Sequence, residues 1–277
     1  VIRLGVPIAP ATLALAQAGK LDVDYIVYYG SKGAIELGEY AKYKPLLLHD
    51  LSGAFWLNYE NPFEEGLMRE ARVMLDATQS PWLSTGIGAS AEPQAHRGGP
   101  YREADASALQ ARETVIANIV KNGKRLQDWA GIPLLLENYN YHPTNAYEYV
   151  CEPALFTEII EAIGCEVLLD LAHAQISAHN MGWANSYAYL EALPLEKVRE
   201  IHVTRPGWMG NTLRVQPSCQ RVDLHQPLEV DDFPLLAWVL ERTHAEAVTL
   251  EIDASIIEAA LYEQIGLMRE FLDKREL

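Results

Sequence analysis

The chain has 277 residues, 49% of them hydrophobic, and a formal net charge of −16 with histidine neutral. Such an acidic excess repels phosphate backbones beyond contact range, and no run of Lys and Arg forms a basic patch, so nucleic acid is excluded as an expected partner. No apolar run approaches the ~20 residues that span a bilayer, residues 2–6 read as a strand rather than a leader, and Cys151, Cys165 and Cys219 show no CxxC spacing. The expectation is a cytoplasmic protein with reduced thiols and no membrane segment.

Apolar runs and helical patterns then alternate along the chain. Residues 2–8 read as the first strand, stopped by Pro10, and residues 11–19 have helical spacing ending in glycine. Residues 25–29 form a second strand, followed by a short helix near 34–42, and 45–49 form a third. Residues 63–79 read as a helix, and 82–87 as a fourth strand weakened by Ser84 and Gly86. Residues 89–103 are a polar loop containing His96, long enough to cover a site. Residues 107–129 form a long amphipathic helix that turns through Gly131-Ile132-Pro133 into the fifth strand, 134–138. The sixth strand is 166–171 and the seventh 198–203, with helices at 153–163 and 187–193. Residues 207–221 make a second long loop, 234–244 a helix, 247–252 the eighth strand and 257–272 the closing helix.

Eight strands, each followed by a helical segment, predict one α/β domain over residues 1–277, a closed (β/α)8 TIM barrel, for which about 250 residues are typical. An open doubly wound sheet would need a glycine fingerprint after the first strand, where Gly5 is followed by Val6-Pro7-Ile8-Ala9-Pro10.

Acidic residues and histidines recur where the apolar runs stop. Leu134-Leu135-Leu136 ends in Glu137, and Val167-Leu168-Leu169 ends in Asp170 with His173 three positions on. The third strand ends in His49, the seventh reaches His202, Val248-Thr249-Leu250 ends in Glu251, and Asp223 and His225 flank Leu224. In a parallel barrel the C-terminal strand ends form one rim, where these side chains are expected to meet. A single His or Glu at a strand end is more often a hydrogen-bonded or solvated rim residue; recurrence on five strands points to a bound metal. Carboxylate with imidazole suits iron, manganese or zinc, whereas an all-oxygen set suits magnesium or calcium. Glu137, Asp170, His202 and Glu251 come from four strands and are expected around one ion. His173, with Asp223 and His225 on one side of an extended segment, is expected to hold a second ion nearby. Two adjacent ions stabilise charge on both sides of a reacting bond, or bind dioxygen and substrate together.

Leu168-Leu169-Asp170-Leu171-Ala172-His173-Ala174-Gln175-Ile176-Ser177-Ala178-His179-Asn180, followed by Tyr189-Leu190 to Pro194 and Val198-Arg199-Glu200-Ile201-His202-Val203, resembles the multinuclear non-haem iron-dependent oxidative enzymes. That family includes the iron subunit of methanobactin biosynthesis and lies in the xylose-isomerase-like barrel superfamily, near the apurinic-site endonucleases. The similarity extends to Leu136-Glu137-Asn138-Tyr139, Asp223-Leu224-His225 and Glu251-Ile252-Asp253. It implies His49, Glu137, Asp170, His173, His202, Asp223, His225 and Glu251 as metal ligands, and Glu137, His173 and Glu251 are the expected catalytic residues. It also implies iron and dioxygen chemistry on cysteine residues of ribosomally made peptides, or a related small thiol, often with a partner protein that presents the peptide. Family members typically carry Ser-Asp-His on the fourth strand, where this chain reads Ser84-Thr85-Gly86. The absent histidine would have joined His49 and Glu137 on one ion, so two well-held ions are expected and the third position is weak.

Other classes stay open on the residues alone. A sugar isomerase or epimerase would use one divalent ion on Glu137, Asp170, His202 and Glu251, with Glu137 and Glu251 as acid and base, and leaves His173, Asp223 and His225 unexplained. Metal-assisted phosphodiester cleavage suits the cluster but not the acidity. A barrel that merely docks a partner does not account for the convergent ligands. Around the rim, Asn138, Glu152, His179 and Asn180 are expected to orient ligands or to serve in caps and turns. Residues 138–142 are expected to line a pocket, with Tyr139 and Tyr141 equally suited to packing the barrel mouth. Arg205 or Arg214 would receive a substrate carboxylate, or make a surface salt bridge, and Trp208 in the second loop would cover the site.

Overall fold

Short leucine- and valine-rich runs buried on both faces belong in a parallel sheet, which needs helices outside it and side chains within. The computed structural model describes residues 1–30, 37–51, 56–91, 106–208 and 220–275. Along the chain β1 (Arg3–Pro7) leads through α1 (Pro10–Gln17), β2 (Tyr25–Tyr29), α2 (Leu37–Tyr40) and β3 (Leu46–His49) to α3 (Glu65–Thr78). β4 (Leu83–Gly86), α4 (Arg112–Ala130), β5 (Leu134–Glu137), α5 (Pro153–Ile163) and β6 (Glu166–Asp170) follow. The second half runs through α6 (Leu171–Asn180), α7 (Ser186–Glu191), β7 (Val198–Val203), β8 (Arg205–Trp208), β9 (Arg221–Gln226), α8 (Phe233–Leu240), β10 (Ala247–Leu250) and α9 (Glu258–Asp273). Pro10 and Pro153 open their helices, where a missing N–H leaves no bond unmade.

Among the described residues eight parallel strands close into a barrel in the order β1-β10-β7-β6-β5-β4-β3-β2. The seam is sealed by the register Arg3–Ala247, Leu4–Val248 and Gly5–Thr249. The expected (β/α)8 barrel is therefore the fold. Three elements differ from the sequence reading. Arg205–Trp208 and Arg221–Gln226 pair antiparallel as a hairpin outside the barrel, where a plain loop was expected at 207–221. Leu171–Asn180 is a helix that starts with no intervening loop after β6. Residues 92–105 and 209–219 lie outside the described residues, and with them His96, Arg214 and Cys219. Among the described residues no helix is long and apolar enough to cross a membrane.

The period of two along each strand sorts its side chains between two cores. Ile26, Leu46, Leu48, Leu134, Leu136, Val167 and Leu169 face outward into the layer shared with the helices. Their neighbours Tyr25, Val27, Leu47, Trp82, Leu135, Leu168 and Ala247 form a separate cluster that fills the barrel. Full burial of a side chain such as Leu135 or Leu168 contributes about 1.5–3 kcal/mol, so this largely apolar layer makes a stable floor under the rim. Gly5 makes room for it: a β-carbon there would lie 2.0 Å from the Tyr25 ring. One pleat further along, the same inward positions carry Tyr29, His49, Ser84, Glu137, Asp170 and His202, and Glu251 follows two pleats after Ala247, which places all of them at the C-terminal rim.

Candidate metal centre

The ligand atoms of Glu137, Asp170, His202 and Glu251 lie within 4.8 Å of one another at this rim. Glu137, Asp170 and His202 are buried, and the Glu251 side chain is 12% exposed. His202 turns Nδ1 toward Glu251 Oε2 at 3.0 Å and Nε2 inward to Glu200 Oε1 at 3.3 Å. The hydroxyl of Tyr29 donates to the other Glu251 oxygen. Asp170 ends β6 and caps α6, its Oδ1 accepting the His173 N–H at 2.7 Å. That cap fixes where His173 stands, three residues on. Asp170 Oδ2 is buried and has no hydrogen-bond partner among the described residues.

His173, Asp223 and His225 form a second set beside the first. His173 Nδ1–H donates to the Asn138 carbonyl at 2.8 Å, and His225 Nδ1–H donates to the Glu251 carbonyl at 2.7 Å. Each imidazole therefore turns Nε2 toward Asp223 Oδ2, at 3.3 Å from His173 and 2.9 Å from His225. A backbone carbonyl on one ring nitrogen is the usual device that leaves the other free for a metal. His225 has φ 45°, a left-handed conformation that non-glycine residues seldom adopt. Its carbonyl accepts Asp253 N–H at 3.0 Å, which helps to hold the outlier in place. The sets adjoin: His173 Nδ1 is 3.4 Å from Glu137 Oε1 and 4.0 Å from Asp170 Oδ1.

His49 completes a smaller group. Its ligand atom lies within 4.8 Å of those of Glu137 and His202, with Nε2 3.6 Å from Glu137 Oε2 and Nδ1 2.8 Å from Ser84 Oγ. The neighbouring strand adds no donor at Gly86. A β-carbon there would lie 2.0 Å from the Tyr139 hydroxyl, so the phenol fills the space a side chain on β4 would need.

The charges are crowded. Burial pushes Glu137 up to about 8 and Asp170 to about 6, although the nearby His173 charge pulls both down. Burial works against protonation of His225, but hydrogen bonding to Asp223 and the charges of Glu251 and Asp223 raise it to about 10. His173 and His202 are likewise raised, burial being outweighed by the carboxylates around them. His49 is lowered by burial and by His202. Four carboxylates and four imidazoles gathered at the rim, half of them buried and one carboxylate oxygen unpartnered, suit divalent cations better than protons alone. The residues therefore fit a metal.

Around these groups the rim residues have defined tasks. The Asn138 amide pairs in both directions with the backbone of Asp170, at 2.9 and 3.0 Å. Asn180 holds the β9 end through the Arg221 N–H and carbonyl, at 3.0 and 3.1 Å. His179 packs edge-on against Trp208 at 4.9 Å, and Trp208 is 57% exposed. Arg205 is salt-bridged to Glu229, and Glu152 precedes α5 with no side-chain cap bond. His142 is buried against Gln220 at 3.3 Å. A cavity of about 250 Å³ opens at the mouth, lined by Pro7, Ile8, Tyr29, His225, Glu251 and residues 252–254. A larger one, about 670 Å³, lies at the opposite end of the strands beside Pro133, Glu166 and Arg199, away from this chemistry. The sequence reading missed Tyr29, Ser84 and Glu200. Each sits one pleat from, or level with, a chosen residue, so extending the alternation along β2, β4 and β7 finds them.

A family model described as RiPP precursor modification enzyme MbnB/TglH/ChrH matches residues 23–272. A UPF0276 protein of Paraburkholderia phytofirmans is 35% identical over 95 residues, covering 34% of this chain and 31% of that one. A UPF0276 protein of Caulobacter sp. (strain K31) is 28% identical over 163 residues, covering 58% of this chain and 56% of that one. These matches span from about a third to a little over half of those relatives' lengths. A solved xylose isomerase-like TIM barrel protein from Mycobacterium smegmatis, in complex with magnesium, aligns with a TM-score of 0.64 at 14% identity. That alignment covers 98% of this chain and 97% of the other, and it shows the fold to be the xylose-isomerase-like barrel.

Proposed function

Because the chain belongs to the family of RiPP precursor modification enzymes that comprises MbnB/TglH/ChrH, we propose that it is an oxidative enzyme with two non-haem iron ions. Its substrate is a cysteine-containing peptide, modified with dioxygen, and a partner protein that presents the peptide is part of the proposal. The observation that carries the reading is the pair of adjoining ligand sets, Glu137, Asp170, His202 and Glu251 beside His173, Asp223 and His225. A one-metal sugar isomerase would leave the second set without a task.

Bound iron would supply a Lewis acid for the substrate sulfur and electrons for the reduction of dioxygen. The protein's own groups do the rest. The carbonyls of Asn138 and Glu251 keep His173 and His225 in the tautomer that offers Nε2. Tyr29 holds one oxygen of Glu251 at the mouth and so limits the directions in which that carboxylate can turn. The mouth cavity, about 250 Å³, admits a side chain rather than a folded surface. Cys165 is pushed up to about 12 by burial, and buried Cys151 is raised too, so these two thiols stay protonated; the proposal takes the reacting thiolate from the substrate.

The test is anaerobic reconstitution of metal-free protein with ferrous iron, followed by a cysteine-containing peptide and dioxygen. The expected result is two iron ions per chain, dioxygen uptake and a mass change in the peptide. His173→Ala should keep one ion and lose the oxidation. Full oxidative activity in that variant, or ketose–aldose interconversion without dioxygen uptake, overturns the proposal, and three ions at full occupancy overturn the count.

A further inference from the structure

Glu200 lies two residues before His202 on β7, so both side chains point into the barrel. It is 1% exposed, at the level of the layer otherwise filled by Tyr25, Val27, Leu47, Trp82, Leu135 and Leu168. An ionised carboxylate persists at such a depth only if its oxygens are fully bonded. Oε2 accepts the Trp82 indole N–H at 2.7 Å, and Oε1 accepts the Thr249 hydroxyl at 3.0 Å. Thr249 has one hydroxyl proton, given to Glu200, so across their 2.8 Å contact Tyr25 is the donor. The guanidinium groups of Arg3 and Arg199 in turn lie over the Trp82 ring, at 5.1 and 4.7 Å from its centroid. The remaining neighbour of Oε1 is His202 Nε2 at 3.3 Å. A carboxylate only accepts, so in the metal-free protein the ring donates through Nε2 to Glu200 and through Nδ1 to Glu251 Oε2 at 3.0 Å. Of these two carboxylates only Glu251 belongs to the ligand set, so a cation there would displace the Nδ1 proton while Glu200 keeps the one on Nε2.

We infer that Glu200 is a positioning residue: held rigid by Trp82 and Thr249, it fixes the His202 proton on Nε2 and thereby aims Nδ1 at a bound metal. The inference rests on the metal reading above. A glutamine of the same shape cannot replace it. Its amide NH2 would meet either the Trp82 N–H or the Thr249 and His202 donors, and at least one donor would lose its acceptor.

The experiment uses zinc, which is diamagnetic, and protein carrying 15N-labelled histidine. In the zinc-loaded wild type, 15N–1H correlations should show His202 protonated on Nε2 and ligated through Nδ1. Competition against a chromophoric chelator should show zinc affinity about 10–100-fold weaker in Glu200→Gln, the range for residues that orient a metal-bound histidine, with a smaller loss in Thr249→Val. Ligation through Nε2 in the wild type, or wild-type affinity in Glu200→Gln, overturns this inference alone. Failure of the wild type to bind zinc or ferrous iron overturns the metal reading and this inference with it. The wild-type spectrum decides the case even if Glu200→Gln does not fold.

Discussion

At Asp170 one side chain serves both the fold and the site. Oδ1 caps α6, a bond worth about 0.5–2 kcal/mol, while buried Oδ2 has no partner and so opposes folding. Asp170→Asn retains an oxygen for the cap and removes the charge. Metal-free Asp170→Asn is therefore expected to melt at or above the wild-type temperature and to bind ferrous iron at least about tenfold more weakly, by loss of one ligand. Calorimetry with a metal titration checks both; a clear drop in melting temperature would mean that the fold itself needs the charge. The protons in the cluster set the pH dependence. Glu137, held up to about 8, and His225, held up to about 10, keep their protons below those values and must release them to take a cation. Apparent iron affinity should rise between pH 6 and pH 8, with more protons released per ion at the lower value, as titration in buffers of different ionisation enthalpy would measure. His49, Glu137, Asp170 and Glu251 were legible because each follows an apolar run where a strand stops, whereas His173, Asp223 and His225 stood out by their spacing from one another and from Asp170. Glu200 was passed over, because a carboxylate one pleat below the rim looks like any solvated Glu unless the alternation is followed back along β7 from His202.

Among the elements, the barrel strands were legible and the connections less so, for a reason visible at the β6–α6 junction. Asp170 is at once the last strand residue and the helix cap, so no turn residue marks the boundary. In β8, Pro206 and Gly207 break the pattern that would announce a strand, and only the pairing with β9 reveals it. β4 shows what a single position does to a site. The space beside Gly86 belongs to Tyr139, whose ring also packs edge-on against Tyr147 at 5.0 Å. Gly86→His alone should destabilise the protein by about 1–3 kcal/mol through overpacking. Combined with Tyr139→Ala, the histidine gains that space and stands beside His49 and Glu137. The double variant is expected to bind a third ion, seen as a rise from two to three per chain in elemental analysis. A count that stays at two would mean that His49 and Glu137 are not aligned for another ligand.

On the scale of the whole molecule, the candidate ligands come from β3, β5, β6, α6, β7, β9 and the segment after β10. Ions held among them would tie together parts of the chain from His49 to Glu251, a span that no local element bridges. A ligand that binds only the folded state stabilises it by RT ln(1 + [L]/Kd), about 4 kcal/mol at a thousandfold excess over Kd. Each kcal/mol moves the melting temperature of a large domain by about 2 °C or more, so a chelator should lower it by on the order of 8 °C. Because β1 pairs with β10, opening the seam at Arg3–Ala247 leaves two unpaired strand edges and uncovers the barrel interior between them. Residues 1–277 are therefore expected to unfold as one unit, in a single calorimetric transition both with metal and after chelation. Two transitions, only one of them sensitive to the chelator, would mean that the half holding the ligands is stable on its own, and that barrel closure and metal binding are separate events.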